Sequence, residues 1–156
     1  MIILDTNIVS EMMKPAPEHA VELWLDEQPA GTVFLSAITE AELRLGLAIM
    51  PDGQRRKALT VMIEGMMAEE FGGRIFSFDS RAAIEFAAIA AQRRQSGRPI
   101  SISDAQIAAI ARARGATLAT RNMTDFAGCG IEIVNPWSAM DPTSSAGAAR
   151  PRSGPG

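Results

Sequence analysis

The sequence contains few of the residues that enzymes use most often as nucleophiles or proton carriers. Its 156 residues include one cysteine, Cys129, and one histidine, His19. A single cysteine cannot form an internal disulfide, and no cysteine or serine is placed to complete a catalytic triad with the histidine. We therefore expect neither thiol chemistry nor histidine-dependent catalysis.

Long apolar runs and a positive net charge are also missing. No stretch approaches the roughly 18 apolar residues of a membrane span, and the amino terminus resembles a strand without the basic region of a signal peptide. We therefore expect a cytoplasmic protein with no membrane partner. The net charge of −3 argues against binding nucleic acid through a global positive field, so any such contact should be local.

The chain does contain enough apolar sequence for one domain, since hydrophobic residues make up 47% of it. Short β-rich runs alternate with helical segments, which predicts an α/β fold with a mostly parallel four- or five-stranded sheet and helices on both faces. We expect this domain to cover residues 1–138. Residues 139–156 are rich in Pro, Gly, Ser and Arg and lack apolar periodicity, which predicts a disordered tail.

The first predicted strand, residues 2–4, ends abruptly at a polar cluster of Asp5, Thr6 and Asn7. Open α/β sheets bind ligands outside the carboxyl ends of their strands. These three residues should therefore lie in a crevice rather than in the core. The alternative is that the cluster only caps the next helix, predicted over residues 8–14.

Glu42 belongs to a helix predicted over residues 36–49. It shares a stripe with Ile38, Leu45 and Ile49, and we expect that stripe to face the core. A carboxylate there is costly without hydrogen bonds or a cation, which favours a functional role. The alternative is a capping box with Thr39.

Two further acids lie near later strands. Ser103 is predicted to cap a buried helix with Asp104 in its first turn, although an acid there can also serve only the helix dipole. Asp125 follows the strand predicted over residues 116–120. Crossover connections place strand ends and the following helix starts at one edge of a parallel sheet, so all these acids could converge there with Asp5 and Glu42.

A convergent set of carboxylates needs a cation, and oxygen-only ligation suits Mg²⁺ or Mn²⁺. The scarcity of histidine and cysteine disfavours zinc. Metal-bound carboxylate clusters without histidine commonly serve phosphodiester hydrolysis by an activated water. The expected chemistry is therefore metal-dependent hydrolysis that needs no side-chain nucleophile.

Four motifs occur along the chain in order: MIILDTN at the start, SAITEAELRLG at 36–46, SISDAQIAAIARARG at 101–115, and LATRNMTDF at 118–126 followed by NPW at 135–137. Together they resemble the PIN domain. They are most similar to the VapC-type toxin ribonucleases of bacterial toxin-antitoxin operons and their FitB-like branch. The resemblance covers residues 1 to about 138.

The resemblance implies an endoribonuclease that depends on Mg²⁺ or Mn²⁺. The residues that match the family's catalytic, metal-binding acids are Asp5, Glu42, Asp104 and Asp125. Thr6 and Asn122 match polar positions that support the acids or the scissile phosphate, and Asn7 lies beside them. The proline- and arginine-containing tail does not belong to the family pattern.

Local contact with RNA is predicted for Arg121, which adjoins Asn122. Further candidates in the second half of the chain are Arg93, Arg94, Arg98, Arg112 and Arg114. The alternative for each of them is a solvated helix face.

The resemblance also implies a homodimer and a small antitoxin that wraps the toxin, with which it forms a hetero-oligomer. Two other functions stay open at this point. One is a PIN-fold RNA-processing nuclease, or binding module, without a toxin role. The other is a receiver-like phosphoacceptor module with Asp79 as acceptor. Such a module needs a lysine near the last strand, whereas the only lysines of this sequence are Lys14 and Lys57.

Overall fold

The structure is a computed structural model that describes residues 1–139. Within them, five parallel strands form one sheet in the order β3-β2-β1-β4-β5. The strands are β1 (Ile2–Leu4), β2 (Val33–Ser36), β3 (Ile75–Phe76), β4 (Thr117–Ala119) and β5 (Ile133–Val134). The predicted disordered tail lies outside the described residues apart from Ala139.

Helices connect the strands. They are α1 (Thr6–Met12), α2 (His19–Asp26), α3 (Ala37–Ile49), α4 (Gln54–Gly65), α5 (Ser80–Gln95) and α6 (Ile102–Arg114), and α4 continues as a π-helical turn over Met66–Glu70. None of the helices in the described part is long and apolar enough to cross a membrane.

The apolar core has two halves, one on each face of the sheet. Successive side chains of a strand point to opposite faces, and β1 follows this rule: Leu4 packs with residues of α1 to α4, whereas Ile3 packs with residues of α5 and α6. Helices therefore cover both faces, and the predicted α/β class is confirmed, with all five strands parallel. β1 lies at the centre, so its carboxyl end opens between elements from both halves of the chain.

The prediction for the buried face of α3 is wrong. The face that packs into the core carries Thr39, Leu43 and Leu47, spaced four residues apart. On the predicted stripe, Ile38 is partly buried against the α5–α6 half of the core, but Leu45 is 61% exposed and Ile49 is 75% exposed. The helix has two apolar stripes, and contact with the sheet selected the one that periodicity alone did not favour.

Candidate active site

A cavity of about 460 Å³ opens at the carboxyl end of β1. The predicted site residues that line it are Asp5, Thr6, Asn7, Glu42, Asp104, Arg121 and Asn122. Sequence reasoning missed four more lining residues, namely Ser10, Glu11, Lys14 and Trp137. The fold therefore brings together residues from α1, α3, α6 and the segments that follow β4 and β5.

Asp5 is the most enclosed of the predicted acids in the cavity, with 5% of its surface exposed. Its Oδ1 accepts the backbone N–H of Thr6 at 2.8 Å, so Asp5 caps α1, and that helix begins two residues earlier than predicted. Its Oδ2 accepts Nδ2 of Asn7 at 3.0 Å and the hydroxyl of Thr120 at 2.7 Å. The Asp5 carboxylate therefore both caps α1 and lines the predicted crevice, so the two alternatives are compatible.

Thr120 is a supporting residue that sequence reasoning missed. The β1–β4 ladder extends to the backbone N–H of Asp5, which donates to the carbonyl of Ala119 at 2.9 Å and so places Asp5 beside Thr120. The buried Thr120 hydroxyl also accepts the backbone N–H of Asn122 at 3.0 Å. A threonine directly after a strand is a weak signal, and only the strand order shows that it adjoins β1.

Glu42 lies at the exposed rim of the cavity, where its Oε1 accepts the hydroxyls of Thr6 at 3.3 Å and Ser103 at 3.4 Å. The alternative capping box with Thr39 is wrong, because Ser36 caps α3 by accepting the backbone N–H of Thr39 at 3.0 Å. Glu42 is therefore oriented by α1 and α6 rather than by its own helix.

Asp104 lies in the first turn of α6, as predicted. The helix cap is Ser101, whose hydroxyl accepts the backbone N–H of Asp104 at 3.1 Å. The prediction that Ser103 caps this helix is wrong, because α6 begins at Ile102 and leaves the Ser103 hydroxyl free to donate to Glu42. The early start turns both Ser103 and Asp104 towards the cavity side of the helix.

The acids influence one another electrostatically. Burial raises the pKa of Asp5, hydrogen bonds from Thr120 and Thr6 oppose this, and the charges of Asp104 and Asp125 raise the pKa further. Partial burial raises the pKa of Glu42, with further contributions from the charges of Asp5 and Asp104. The charge of Asp104 therefore destabilises the ionised forms of both Asp5 and Glu42, as expected for a site that a cation would complete.

The donor chemistry of this cluster fits a hard divalent cation. Within residues 1–139, no ion pair neutralises Asp5, Glu42 or Asp104. Their oxygens are the ligands that Mg²⁺ and Mn²⁺ prefer. In the same residues, no three His, Cys, Asp or Glu side chains are already gathered closely enough to hold a metal ion. Metal binding would therefore require the carboxylates to turn towards a common point.

Asp125 stands apart from the other predicted acids. It is exposed on the loop after β4 and does not line the cavity, although its charge contributes to the raised pKa of Asp5. Its backbone carbonyl accepts Nη1 of the buried Arg93 at 2.8 Å, and that guanidinium also donates to the carbonyls of Ala127 at 2.9 Å and Arg98 at 2.7 Å. Arg93 thus anchors this loop and is not available as an RNA contact.

Two of the other arginine candidates are also engaged by protein groups. Arg112 Nε lies 2.7 Å from Glu85 Oε2. Arg114 pairs with Asp79 at 3.4 Å. Asp79 itself caps α5 by accepting the backbone N–H of Ala82 at 3.0 Å, away from the cavity, which removes the support for a receiver-like acceptor.

Arg121 occupies a different environment, inside the cavity lining. Its guanidinium carbon lies 4.9 Å from the centre of the Trp137 ring, which fits a cation–π contact. Its backbone N–H donates to Oδ1 of Asn7 at 3.4 Å. The indole therefore orients a positive charge at the edge of the acidic pocket.

The fold and the cavity define an α/β protein with an acidic pocket at the carboxyl edge of a parallel sheet. Residues 2–127 match the PIN domain model. The chain belongs to the PIN domain family.

Its relatives carry more specific names. The chain is 45% identical over 137 residues to the VapC ribonuclease Y4jK of Sinorhizobium fredii, covering 88% of this chain and 98% of that protein. It is 39% identical over 137 residues to the toxin FitB of Neisseria gonorrhoeae, covering 88% of this chain and 99% of that protein. The predicted resemblance to VapC-type and FitB-like proteins is confirmed.

Solved structures give the same result. The fold superposes on the FitAcB crystal structure from Neisseria gonorrhoeae with a TM-score of 0.82 at 39% identity, over 88% of this chain and 99% of that one. It superposes on DNA-bound VapBC from Salmonella typhimurium with a TM-score of 0.73 at 27% identity, over 86% and 97% of the two chains. The Salmonella relative is described as bound to DNA.

Proposed function

We propose that the protein is an endoribonuclease that depends on Mg²⁺ or Mn²⁺ and hydrolyses RNA phosphodiester bonds as the toxin of a toxin-antitoxin pair. One observation carries this proposal: Asp5, Glu42 and Asp104 share a cavity and have no cationic partner within residues 1–139. PIN family membership and VapC- and FitB-named relatives support the same conclusion.

Asp5, Glu42 and Asp104 would hold the cation, and Asp125 would supply a fourth acid from its loop. When bound, Mg²⁺ or Mn²⁺ supplies the activation of an attacking water and the stabilisation of the leaving oxygen. Thr120 and Asn7 keep the Asp5 carboxylate in place through Oδ2.

The remaining predicted residues would act on the substrate. Thr6 and Asn122 offer polar groups on the cavity wall, and the guanidinium of Arg121 offers a positive charge for a phosphate of the RNA backbone. Phosphate contacts fix the register of a nucleic acid without reading its sequence. We therefore expect these residues to position RNA rather than to select a base.

The end groups of the products test the proposed chemistry. Attack by a water leaves 5′-phosphate and 3′-hydroxyl ends, whereas attack by the 2′-hydroxyl of RNA leaves 2′,3′-cyclic phosphate. The purified protein should give the first kind of product from single-stranded RNA in Mg²⁺ or Mn²⁺ and none in EDTA. Cyclic phosphate products, or full activity in EDTA, would contradict the proposal.

A matched pair of variants separates the site from the rest of α3. Glu42→Gln removes a carboxylate from the cavity and should abolish most cleavage. Glu40→Gln removes one from the same helix, where it pairs with Arg44 at 2.9 Å outside the cavity lining, and should leave cleavage unchanged. Equal losses in both variants would show that the acids of α3 act only on stability.

The proposed partners are a second copy of the chain and a small antitoxin, acting with the RNA substrate in the cytoplasm. Relatives solved as FitAcB and VapBC assemblies support the antitoxin. The proposal expects a short open reading frame immediately upstream of this gene, whose product should relieve growth arrest and form a stable complex with the protein on size-exclusion chromatography. Cleavage without growth arrest would favour an RNA-processing nuclease without a toxin role.

A further inference from the structure

The cavity lining contains a charge pair, Lys14 and Glu11, that the proposed cleavage chemistry does not use. Asn7, Ser10, Glu11 and Lys14 all line the cavity, and their spacing places them on one face of α1 and the turn that follows it. Lys14 Nζ lies 2.6 Å from Glu11 Oε2. The first half of α1 therefore supports the acids, and its end presents a lysine to the same cavity.

Glu11 is unusual for a carboxylate near a surface, because only 3% of its surface is exposed. Its Oε1 accepts the backbone N–H of Glu18 at 2.9 Å, which ties it to the start of α2. Hydrogen bonds from Lys14 and Glu18 lower the pKa of Glu11, and the charge of Arg121 contributes in the same direction. Glu11 is thus an ionised anchor with two cations near it.

The charges in this part of the lining leave a surplus of one positive charge, since Lys14 and Arg121 face one carboxylate, Glu11. The Lys14 side chain is 57% exposed and uses one of its three donors on Glu11. Within residues 1–139, the Arg121 guanidinium stacks on Trp137 and makes no side-chain hydrogen bond. Both cations therefore retain donors for an anion in the cavity.

We propose that Lys14 and Arg121 form a phosphate-binding subsite for the RNA backbone phosphate next to the scissile one, with Glu11 as the residue that positions Lys14. This inference rests on the proposed ribonuclease function. The acids would act on the scissile phosphodiester through their cation, and the neighbouring phosphodiester would contact Lys14 and Arg121. Lysine binds phosphate as a point charge, and a stacked arginine offers paired donors.

A purely structural role for the pair makes a different prediction. If Lys14 served only to neutralise Glu11, its removal would lower the melting temperature and leave the salt dependence of RNA binding unchanged. If it contacts phosphate, removal should weaken RNA binding and reduce the slope of log K against log salt by about 0.7 for the lost contact. The melting temperature should fall in either case, because Lys14→Ala leaves the enclosed Glu11 carboxylate without its ion-pair partner, so the salt slope is the readout that decides.

The test measures binding of a short single-stranded RNA by fluorescence anisotropy over a range of salt in Mg²⁺, with every variant in the Asp104→Asn background to prevent cleavage. Lys14→Ala should bind about 10-fold more weakly, equivalent to about 1.4 kcal/mol. Lys14→Arg should restore the slope. The matched control is Lys57→Ala. Lys57 is the only other lysine of the sequence and lies on α4, outside the cavity lining.

Three results would overturn the subsite. They are unchanged affinity and slope in Lys14→Ala, an equal loss in Lys57→Ala, and a lower melting temperature with an unchanged slope. A separate measurement tests the proposed function itself: if the unmodified protein does not cleave RNA in Mg²⁺ or Mn²⁺, the ribonuclease proposal fails. Cleavage by that protein together with an unaffected Lys14→Ala variant would overturn the subsite alone.

Discussion

Thr120 offers the sharpest test of how the fold supports the acidic pocket. Its buried hydroxyl donates to Asp5 Oδ2 at 2.7 Å and accepts the backbone N–H of Asn122 at 3.0 Å. Thr120→Val keeps the shape of the side chain and removes both interactions, together with a longer hydrogen bond in which Asn7 Nδ2 donates to the same hydroxyl at 3.4 Å. The substitution therefore changes hydrogen bonding at the site with little effect on packing.

The hydrogen bond to Asp5 determines most of the expected loss. Hydrogen bonds to charged groups contribute about 1.5–3 kcal/mol, and a buried acceptor that loses its donor retains its full desolvation cost. The N–H of Asn122 belongs to an exposed residue, so water can replace its partner. We expect the free energy of unfolding to fall by about 2–3 kcal/mol at pH 7.5.

The deficit should depend on pH in a defined direction. Burial raises the pKa of Asp5 in the folded state, and the Thr120 hydrogen bond opposes that rise, so the valine variant should have a still higher pKa. A raised folded-state pKa means that the ionised acid opposes folding, and this opposition declines as pH falls below the folded pKa and is gone below the unfolded pKa. The variant and the parent should therefore converge in stability as the pH is lowered.

The assay is urea denaturation in EDTA at a series of pH values and at constant protein concentration. Thr117→Val is the matched control, because Thr117 begins β4, the strand that Thr120 directly follows, and its hydroxyl donates to Glu132 Oε2 at an exposed position, 3.2 Å away. The control should lose less than about 1 kcal/mol at every pH. A Thr120→Val deficit below about 0.5 kcal/mol, or one that is the same at all pH values, would refute the reasoning.

Two further predictions concern the site and its loop. Asp104→Asn should abolish cleavage but leave the melting temperature in EDTA unchanged or higher, because it removes a charge that raises the pKa of Asp5. Mg²⁺ should raise the melting temperature of the parent much more than that of this variant. Equal Mg²⁺-induced increases in the two proteins would contradict the assignment of Asp104 to the metal site. Arg93→Met should lower the free energy of unfolding by about 3 kcal/mol in urea, since it removes three hydrogen bonds from a buried guanidinium to backbone carbonyls, whereas Arg94→Met at the exposed neighbouring position should change it little.

Local sequence was sufficient to predict the elements that carry the acids. A short apolar run that stops at Asp5 predicts a buried strand with a polar tip, and alternation of strands and helices predicts a parallel sheet. The structure agrees with both. These features depend on side-chain periodicity and chain reversal, which act between residues close in sequence.

The orientation of Glu42 was not predictable in the same way. Its stripe on α3 was expected to face the core, yet Leu45 and Ile49 on that stripe are exposed. A helix with two apolar stripes has no local reason to bury one rather than the other. The choice comes from contact with the sheet, and it places Glu42 at the cavity rim, where Thr6 and Ser103 orient it.

The sequence by itself determined the class of fold, the acids available for a metal site and the family to which the chain belongs. Only the tertiary structure decided which groups support those acids. Thr120 donates to Asp5 across 115 positions of sequence, and Lys14 shares a cavity with Asp104 although α1 and α6 pack into different halves of the core. Such contacts follow from strand order and helix packing, and because these are set by the whole core, no local pattern encodes them.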